Sequence, residues 1–353
     1  MSGFSQPPKK NHCFERSVRI MDTSALSGTK PGQARPLVSF IITYYNLPVD
    51  MIRECIDSIL SIDLEADERE IILVDDGSEV SPLNELTEYR DQLVYLRQSN
   101  KGPGGARNSG IDICHGEYIQ FVDGDDMLIK ANYDHCIHLL REQEADVVLF
   151  KHTTEENDVD SPYLFDGPMT GADYINNHNL RGAVWGYVFR KKLLHDLRFS
   201  THLLHEEDEE FTPKLILRAE NLYATDSCAY FYRVRPGSIT QRGGNEWTAK
   251  KLNDAEYVLL QLDHLAGTLH GEQGKALQRR VAQLTMNYIY NVIVLTRSEQ
   301  MLDERLGHLA QRGLFPLPNR NYTTKYKLFR RLVNTKAGRK VLLRTLPLLP
   351  KEK

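Results

Sequence analysis

Three carboxylates crowd into four positions, Asp123, Asp125 and Asp126, where the apolar run of YIQFVDGDDMLIK (118–130) ends. Carboxylates about 5 Å apart repel by roughly 1–3 kcal/mol per pair at a protein-surface dielectric, so something positive is expected among them when the protein works. Hard oxygen donors suit Mg2+ or Mn2+, which keep several waters and share their sites with substrate phosphates. Gly124 between the acids would let a ligand come close. An EF-hand is excluded, because a loop starting at Asp123 puts Met127 and Leu128 where an Asp or Asn and the Gly belong. The plainer alternative is a solvated loop after a strand. A second acidic run, HEEDEEF (205–211), reads on its own as the solvated first turn of a helix. GPGGARNSG (102–110) has the look of a phosphate-cradling loop but lacks the GxGxxG spacing and the lysine and hydroxyl of a P-loop.

The elements that must position these residues can be read from hydrophobic patterning. LVSFIIT (37–43), EIILVDD (70–76), LVYLRQ (93–98), EYIQFV (117–122) and ADVVLFKH (145–152) are short apolar runs, as expected of strands buried on both faces. Between them lie helical patterns: VDMIRECIDSIL (49–60), the Ser-Pro-started SPLNELTEYRDQ (81–92), the Gly-led GGARNSGIDICHG (104–116) and YDHCIHLLREQ (133–143). Strands alternating with helices predict an α/β fold, a parallel sheet with helices on both faces. Ligands of such sheets bind outside the carboxyl ends of the strands. That rule selects Thr43–Asn46, Asp75–Ser78, Asn100–Arg107 and Asp123–Asp126, which are the polar stretches. Beyond residue 155 the pattern loosens, and from Trp247 to about Arg312 it is helical in two or three segments.

The motifs VSFIITYYN, IILVDDGS, NKGPGGARNSGI, GEYIQFVDGDD and HEEDEEF stand in an order and spacing that resembles the family 2 glycosyltransferases. The resemblance covers residues 37–240. It implies a GT-A (Rossmann-like), mostly parallel sheet flanked by helices, an inverting enzyme and a nucleotide-diphosphate sugar donor. Thr43, where the family more often has Pro, and Tyr45 match positions lining the base pocket, and Asp76 matches the acid that bonds the base. A carboxylate acceptor suits the N–H of uracil and so favours a UDP-sugar. Arg107 and Asn108 begin the helix that approaches the donor; Arg107 could pair with diphosphate or an aspartate, since its planar fork binds either. Asp123 and Asp125 match the DxD motif that holds Mg2+ or Mn2+ and the donor, with Asp126 as a cap for the next segment. Glu207 and Asp208 match the ED motif, Asp208 as general base. Trp185 resembles the aromatic floor of the acceptor site, although a core tryptophan would look the same. Arg233 and Arg235, on one face of an extended run, resemble with Ser238 a segment that closes over the diphosphate. His205 reads more readily as structural than as a metal ligand. A nucleotidyltransferase would want a glycine-rich basic loop after the first strand, and TYYNLPVD has none. A non-catalytic nucleotide-sugar or glycan-binding protein would not need both acid motifs.

The chain has 353 residues and a net charge of −4, unevenly spread: residues 318–353 carry eleven Lys or Arg and one acid. The body is therefore acidic and the tail basic, which points to an anionic surface as partner and gives no indication of nucleic acid. Tyr326, Phe329, Leu332, Val333 and Leu343 can share one side of the tail, as in an interfacial helix at a membrane; packing on the catalytic domain is the alternative. Five cysteines without metal-ligand spacing, three of them in apolar helical patterns, favour a reducing cytosol. The expected organisation is a disordered lead (1–35, with Met21 a possible start), a catalytic domain (36–240) with a nucleotide-sugar half (36–126) and an acceptor half (127–240), a helical region (241–317) and the basic tail (318–353). A glycan or lipid-linked acceptor, and a cytoplasmic location at the inner face of the membrane, follow as expectations from the family.

Overall fold

The computed structural model describes residues 35–155, 164–235, 244–320 and 322–348. Most of the expected N-terminal lead, with Met21, and Ser238 lie outside the described residues. Four strands form the parallel heart of the sheet in the order β3-β2-β1-β4: β1 (Val38–Tyr44), β2 (Arg69–Asp75), β3 (Leu93–Arg97) and β4 (Tyr118–Asp123). The run of β-branched and aromatic residues in these strands fits burial on both faces, and β1 is buried along almost its whole length. Phe40 and Ile42 point into one core layer with α1 (Val49–Leu60) and α3 (Lys130–Glu142). Ile41 points into the other, beneath α2 (Gly102–Ile113).

The second half completes a nine-stranded mixed sheet. A short strand that the sequence pattern did not reveal, β8 (Tyr187–Arg190), inserts antiparallel between β4 and β6 (Val147–Thr153). β9 (Leu222–Phe231) runs parallel to β6, and the short β5 (Met127–Leu128) and β7 (Phe165–Met169) pair antiparallel with it. The expected helix over 81–92 is instead two 3-10 turns, Pro82–Glu85 and Thr87–Tyr89. Each turn is tied separately to α1: Arg53 bonds the Glu85 carbonyl and the Glu88 carboxylate, and the Tyr89 hydroxyl donates to Asp57 at 2.9 Å.

Beyond the sheet lie α4 (Gly171–Asn177), which the pattern did not mark, α5 (Glu207–Ile216) and then α6 (Asn245–Thr268), α7 (Gly271–Thr296) and α8 (Glu299–Gln311), the three helices of the expected helical region. Among the described residues no helix is long and apolar enough to cross a membrane. The tail forms α9 (Thr324–Val333) and α10 (Lys336–Thr345), both packed on α7. Its expected apolar side is therefore occupied within the protein: Tyr326, Phe329 and Val333 are buried, and Leu332 and Leu343 pack against the same core. That core is continuous from Ile41 of the sheet to Leu342 of α10.

Candidate active site

Register places the functional side chains. Thr43 of β1 lies opposite both Val74 of β2 and Asp123 of β4, so the ends of three neighbouring strands form one rim. The Asp76 amide continues the ladder to the Tyr44 carbonyl, and the Gly124 amide to that of Thr43. Asp75 is a structural acid: it accepts from the Tyr95 hydroxyl at 2.7 Å and from the Ser78 amide at 2.8 Å. Asp76 is the acid at the rim. Its Oδ1 accepts from Gln98 Nε2 at 2.7 Å and from the Lys101 amide at 2.9 Å. Burial raises its pKa, and these donors pull it back. The Ser109 hydroxyl donates to Gln98 Oε1 and so fixes which end of the amide faces Asp76. Tyr45 is 43% exposed beside this rim.

Arg107 is the centre of the site. Rising from the first turns of α2 with its side chain only 4% exposed, it donates to Asp123 at 3.1 Å, Glu207 at 3.0 Å and Asp208 at 2.8 Å. Burial works against its charge, but Asp208, Asp123 and Glu207 outweigh burial and push its pKa up. Thus the DxD and ED motifs, 84 residues apart in sequence from Asp123 to Glu207, meet on one guanidinium. Asp208 keeps a side chain 24% exposed. Burial raises its pKa well above the ordinary carboxylate range; Arg107 opposes this, and Glu207, Asp123 and Glu209 reinforce it. Thr43 donates to Asp123 at 3.3 Å from the other side.

Asp125 pairs with Arg235 at 2.5 Å, and Arg233 Nε donates to the Asp125 carbonyl at 2.9 Å. The two arginines expected near the diphosphate thus lie on the DxD turn. Asp126 is not a cap; α3 begins at Lys130. It is buried and accepts from the Tyr230 hydroxyl and the Arg233 amide, both at 2.8 Å. Burial, with Asp123 next, pushes its carboxyl up to about 8 against those two bonds. Tyr230 also receives the Asp123 amide at 3.1 Å, so one phenol braces the turn from below. Nothing in the spacing of CAYFYRVR singled out Tyr230; a tyrosine in an apolar run looks like core.

Trp185 does not present the open face expected of an acceptor floor. It is 8% exposed, with Tyr230 stacked on it at 4.6 Å and the His152 ring edge-on at 5.0 Å. Its face is covered, and it packs as a core residue. Asn108 does not approach a donor either, because both ends of its amide bond the Phe199 backbone. His205 sits edge-on against Trp247 at 4.3 Å, a structural contact. Gly124 makes room for the protein rather than for a ligand: a Cβ there would stand 2.6 Å from Ile52 and 2.8 Å from the Thr43 carbonyl.

Among the described residues no group of three His, Cys, Asp or Glu side chains could hold a metal alone. The part-exposed carboxylates of Asp123 and Asp125 are the hard donors present, and such a pair fits an ion that completes its shell with waters and phosphate oxygens.

The profile of "Glycosyl transferase family 2" matches residues 39–198, which hold nearly all of β1, strands β2 to β8, the DxD turn and Arg107. This segment is a family 2 glycosyltransferase domain. The Bacillus subtilis "Uncharacterized glycosyltransferase EpsJ" is 32% identical over 58% of this chain and 63% of its own length. The Bacillus spizizenii "Poly(ribitol-phosphate) beta-glucosyltransferase" is 31% identical over 56% of this chain and 32% of its own length. The chain thus spans less than two thirds of these relatives. The crystal structure of Staphylococcus aureus TarS residues 1–349 in complex with UDP-GlcNAc superposes with a TM-score of 0.61 at 21% identity, covering 88% of this chain and 90% of that one. That likeness shows the GT-A fold, helical region included.

Proposed function

We propose that this protein is an inverting glycosyltransferase that moves a sugar from a UDP-sugar to a hydroxyl of a glycan or lipid-linked surface polymer of the teichoic acid kind. The observation that carries the reading is the convergence of Asp123, Glu207 and Asp208 on Arg107. It sets the acid of the donor side and the candidate base of the acceptor side in one charge cluster. The names of the relatives and the UDP-GlcNAc complex of TarS support the polymer acceptor and the donor class.

Donor binding follows from the rim. Asp76 accepts the uracil N–H, and Tyr45 stacks on the base. Arg233 and Arg235 are within reach of the diphosphate once it competes with Asp125 for their guanidinium groups. Asp123 and Asp125 would hold Mg2+ or Mn2+, which would supply Lewis-acid stabilisation of the leaving diphosphate, worth several kcal/mol. Arg107 holds Asp208 by Oδ1, and Oδ2 takes the proton of the acceptor hydroxyl. As that oxygen bonds to the anomeric carbon, the bond from this carbon to the β-phosphate oxygen breaks and UDP carries away the electron pair. The raised pKa of Asp208 makes it a stronger base than an ordinary carboxylate, and deprotonation sets the acid limb of the rate. At the tail, α9 and α10 expose Lys325, Lys327, Arg331, Lys336, Lys340 and Arg344. We assign this basic face to an anionic membrane surface on the cytoplasmic side, near lipid-linked acceptors.

Asp208→Asn is the direct test. UDP release should fall by about 10²-fold or more, the range of a general base, while UDP binding by calorimetry stays unchanged. Wild-type turnover in that variant removes Asp208 from the mechanism.

A further inference from the structure

We propose that Asp254 of α6 and Arg280 of α7 are positioning residues for Asp208, so that the helical extension fixes the segment 203–209 from outside while Arg107 holds it from inside. This rests on the base reading above. Buried Asp254 accepts the amides of Leu204 and His205 through Oδ2, both at 3.2 Å, and pairs through Oδ1 with Lys250 at 2.5 Å. One carboxylate thus ties down two successive amides, and Trp247 of the same helix closes on the His205 ring. The next residue, Glu206, adopts a left-handed conformation (φ 65°), an unusual one for a non-glycine residue, and α5 starts immediately after it. Such a turn persists where its surroundings over-determine it, and α6 provides those surroundings.

Arg280 acts one residue beyond the base. Its buried guanidinium pairs with Glu209 and donates to the Leu180 carbonyl at 2.6 Å. A Cβ on Gly182 would stand 2.2 Å from the Glu209 carboxyl carbon, so the backbone at 180–182 lies directly on that carboxylate. Arg280 therefore joins α7, the backbone at 180–182 and the turn that carries Asp208, and it balances the charge beside Asp208. The charged and titratable groups facing Asp208 are Arg107 from α2, Asp123 from β4, Tyr187 from β8, and Glu207 and Glu209 on its own helix. Removing the Arg280 charge leaves Glu209 unbalanced, which makes Asp208 harder to deprotonate. Removing the Glu209 charge does the reverse.

The test uses the full chain with UDP-GlcNAc and Mn2+ as probe, reading UDP release from pH 5 to 9, together with amide hydrogen exchange. In Arg280→Gln and Asp254→Asn, residues 203–211 should exchange about 5-fold faster or more, with β1–β4 unchanged. In Arg280→Gln kcat should fall about 10-fold with KM for UDP-GlcNAc held within about 2-fold. Its acid limb should move up by about 0.5 pH unit, that of Glu209→Gln should move down, and Arg280→Lys should keep the wild-type limb. A purely structural role would lower the amount of folded enzyme and leave the limb in place. Unchanged exchange at 203–211, or limbs that do not move in opposite directions, overturns the proposal. Failure of the base reading is seen separately, as turnover retained in Asp208→Asn.

Discussion

At the scale of single residues the site is a problem in charge balance that Arg107 solves. One guanidinium offers its fork to three carboxylates from two distant motifs, a geometry that an ammonium point charge does not reproduce. Arg107→Gln leaves those carboxylates facing one another, and loss of one partner of a buried pair costs about 3–5 kcal/mol. The lower end applies because Asp123 and Asp208 keep contact with water. Urea unfolding should show that loss, and Arg107→Lys should recover part of the stability with little of the UDP release. A second expectation concerns Glu206, whose carboxyl is pushed up to about 7 by burial and by Glu209, against Lys251. An acid with a raised folded-state pKa favours the fold while protonated in it. Its burden is absent below the ordinary glutamate range, grows as pH rises through the folded value, and is complete above it. Glu206→Gln should therefore melt with the wild type at pH 4 and about 2 °C or more above it at pH 8, read by calorimetry. The principal acids and Arg107 were legible in the sequence because motif order marks them. Gln98, Tyr230 and Arg280 were not, since a residue that acts by reaching a distant partner has no local signature.

At the scale of elements the rim depends on strand ends staying in register, and Gly124 is the joint. The sequence suggests that this glycine admits a ligand, whereas its missing side chain is what lets the turn lie against Thr43 and Ile52. Gly124→Ala must push the backbone of the turn away from the Thr43 carbonyl, which is rigid. Overpacking of this kind costs typically about 1–3 kcal/mol. The displaced turn carries Asp123 and Asp125, so the expected outcome is a lower melting temperature together with weaker Mn2+-dependent binding of UDP. A variant that binds UDP as tightly as wild type would show that the turn tolerates the shift. The four parallel strands were readable because burial on both faces writes a continuous apolar run. β8 was not, because four residues inside AVWGYVFRKKLL carry no period, and its antiparallel insertion is decided by tertiary pairing. The segment 81–92 misled for a related reason: its helical start signal is real, as Ser81 accepts the Leu83 amide, but side chains of α1 capture each turn before a helix can propagate.

At the scale of the whole molecule, one apolar core runs from the sheet through α6 and α7 to α10, which brings helices remote in sequence against the segment that carries Asp208. The composition of the tail was legible, basic and amphipathic, but amphipathicity does not say what covers the apolar side. Here α7 covers it, so insertion of a helix face into lipid is not the form of contact to expect. What remains outward is charge, with Leu328, Val341 and Leu348 as scattered exposed apolar residues. Two experiments that look equivalent should therefore differ. Deleting residues 320–353 removes Tyr326, Phe329, Val333 and Leu342 from the core and should lower the melting temperature, so lost membrane binding in that variant would be uninformative. Replacing Lys325, Lys327, Arg331, Lys336, Lys340 and Arg344 by Gln keeps the buried apolar residues of α9 and α10 in place and, with loss of the exposed Lys340–Glu299 ion pair, removes the basic charges. With about 1 kcal/mol per basic residue near an anionic surface, the wild type should float with vesicles containing phosphatidylglycerol and not with phosphatidylcholine alone. The six-fold variant should float with neither, and 0.5 M salt should release the wild type by screening. Equal flotation of variant and wild type would take the basic face out of the account and leave α9 and α10 as packing for α7.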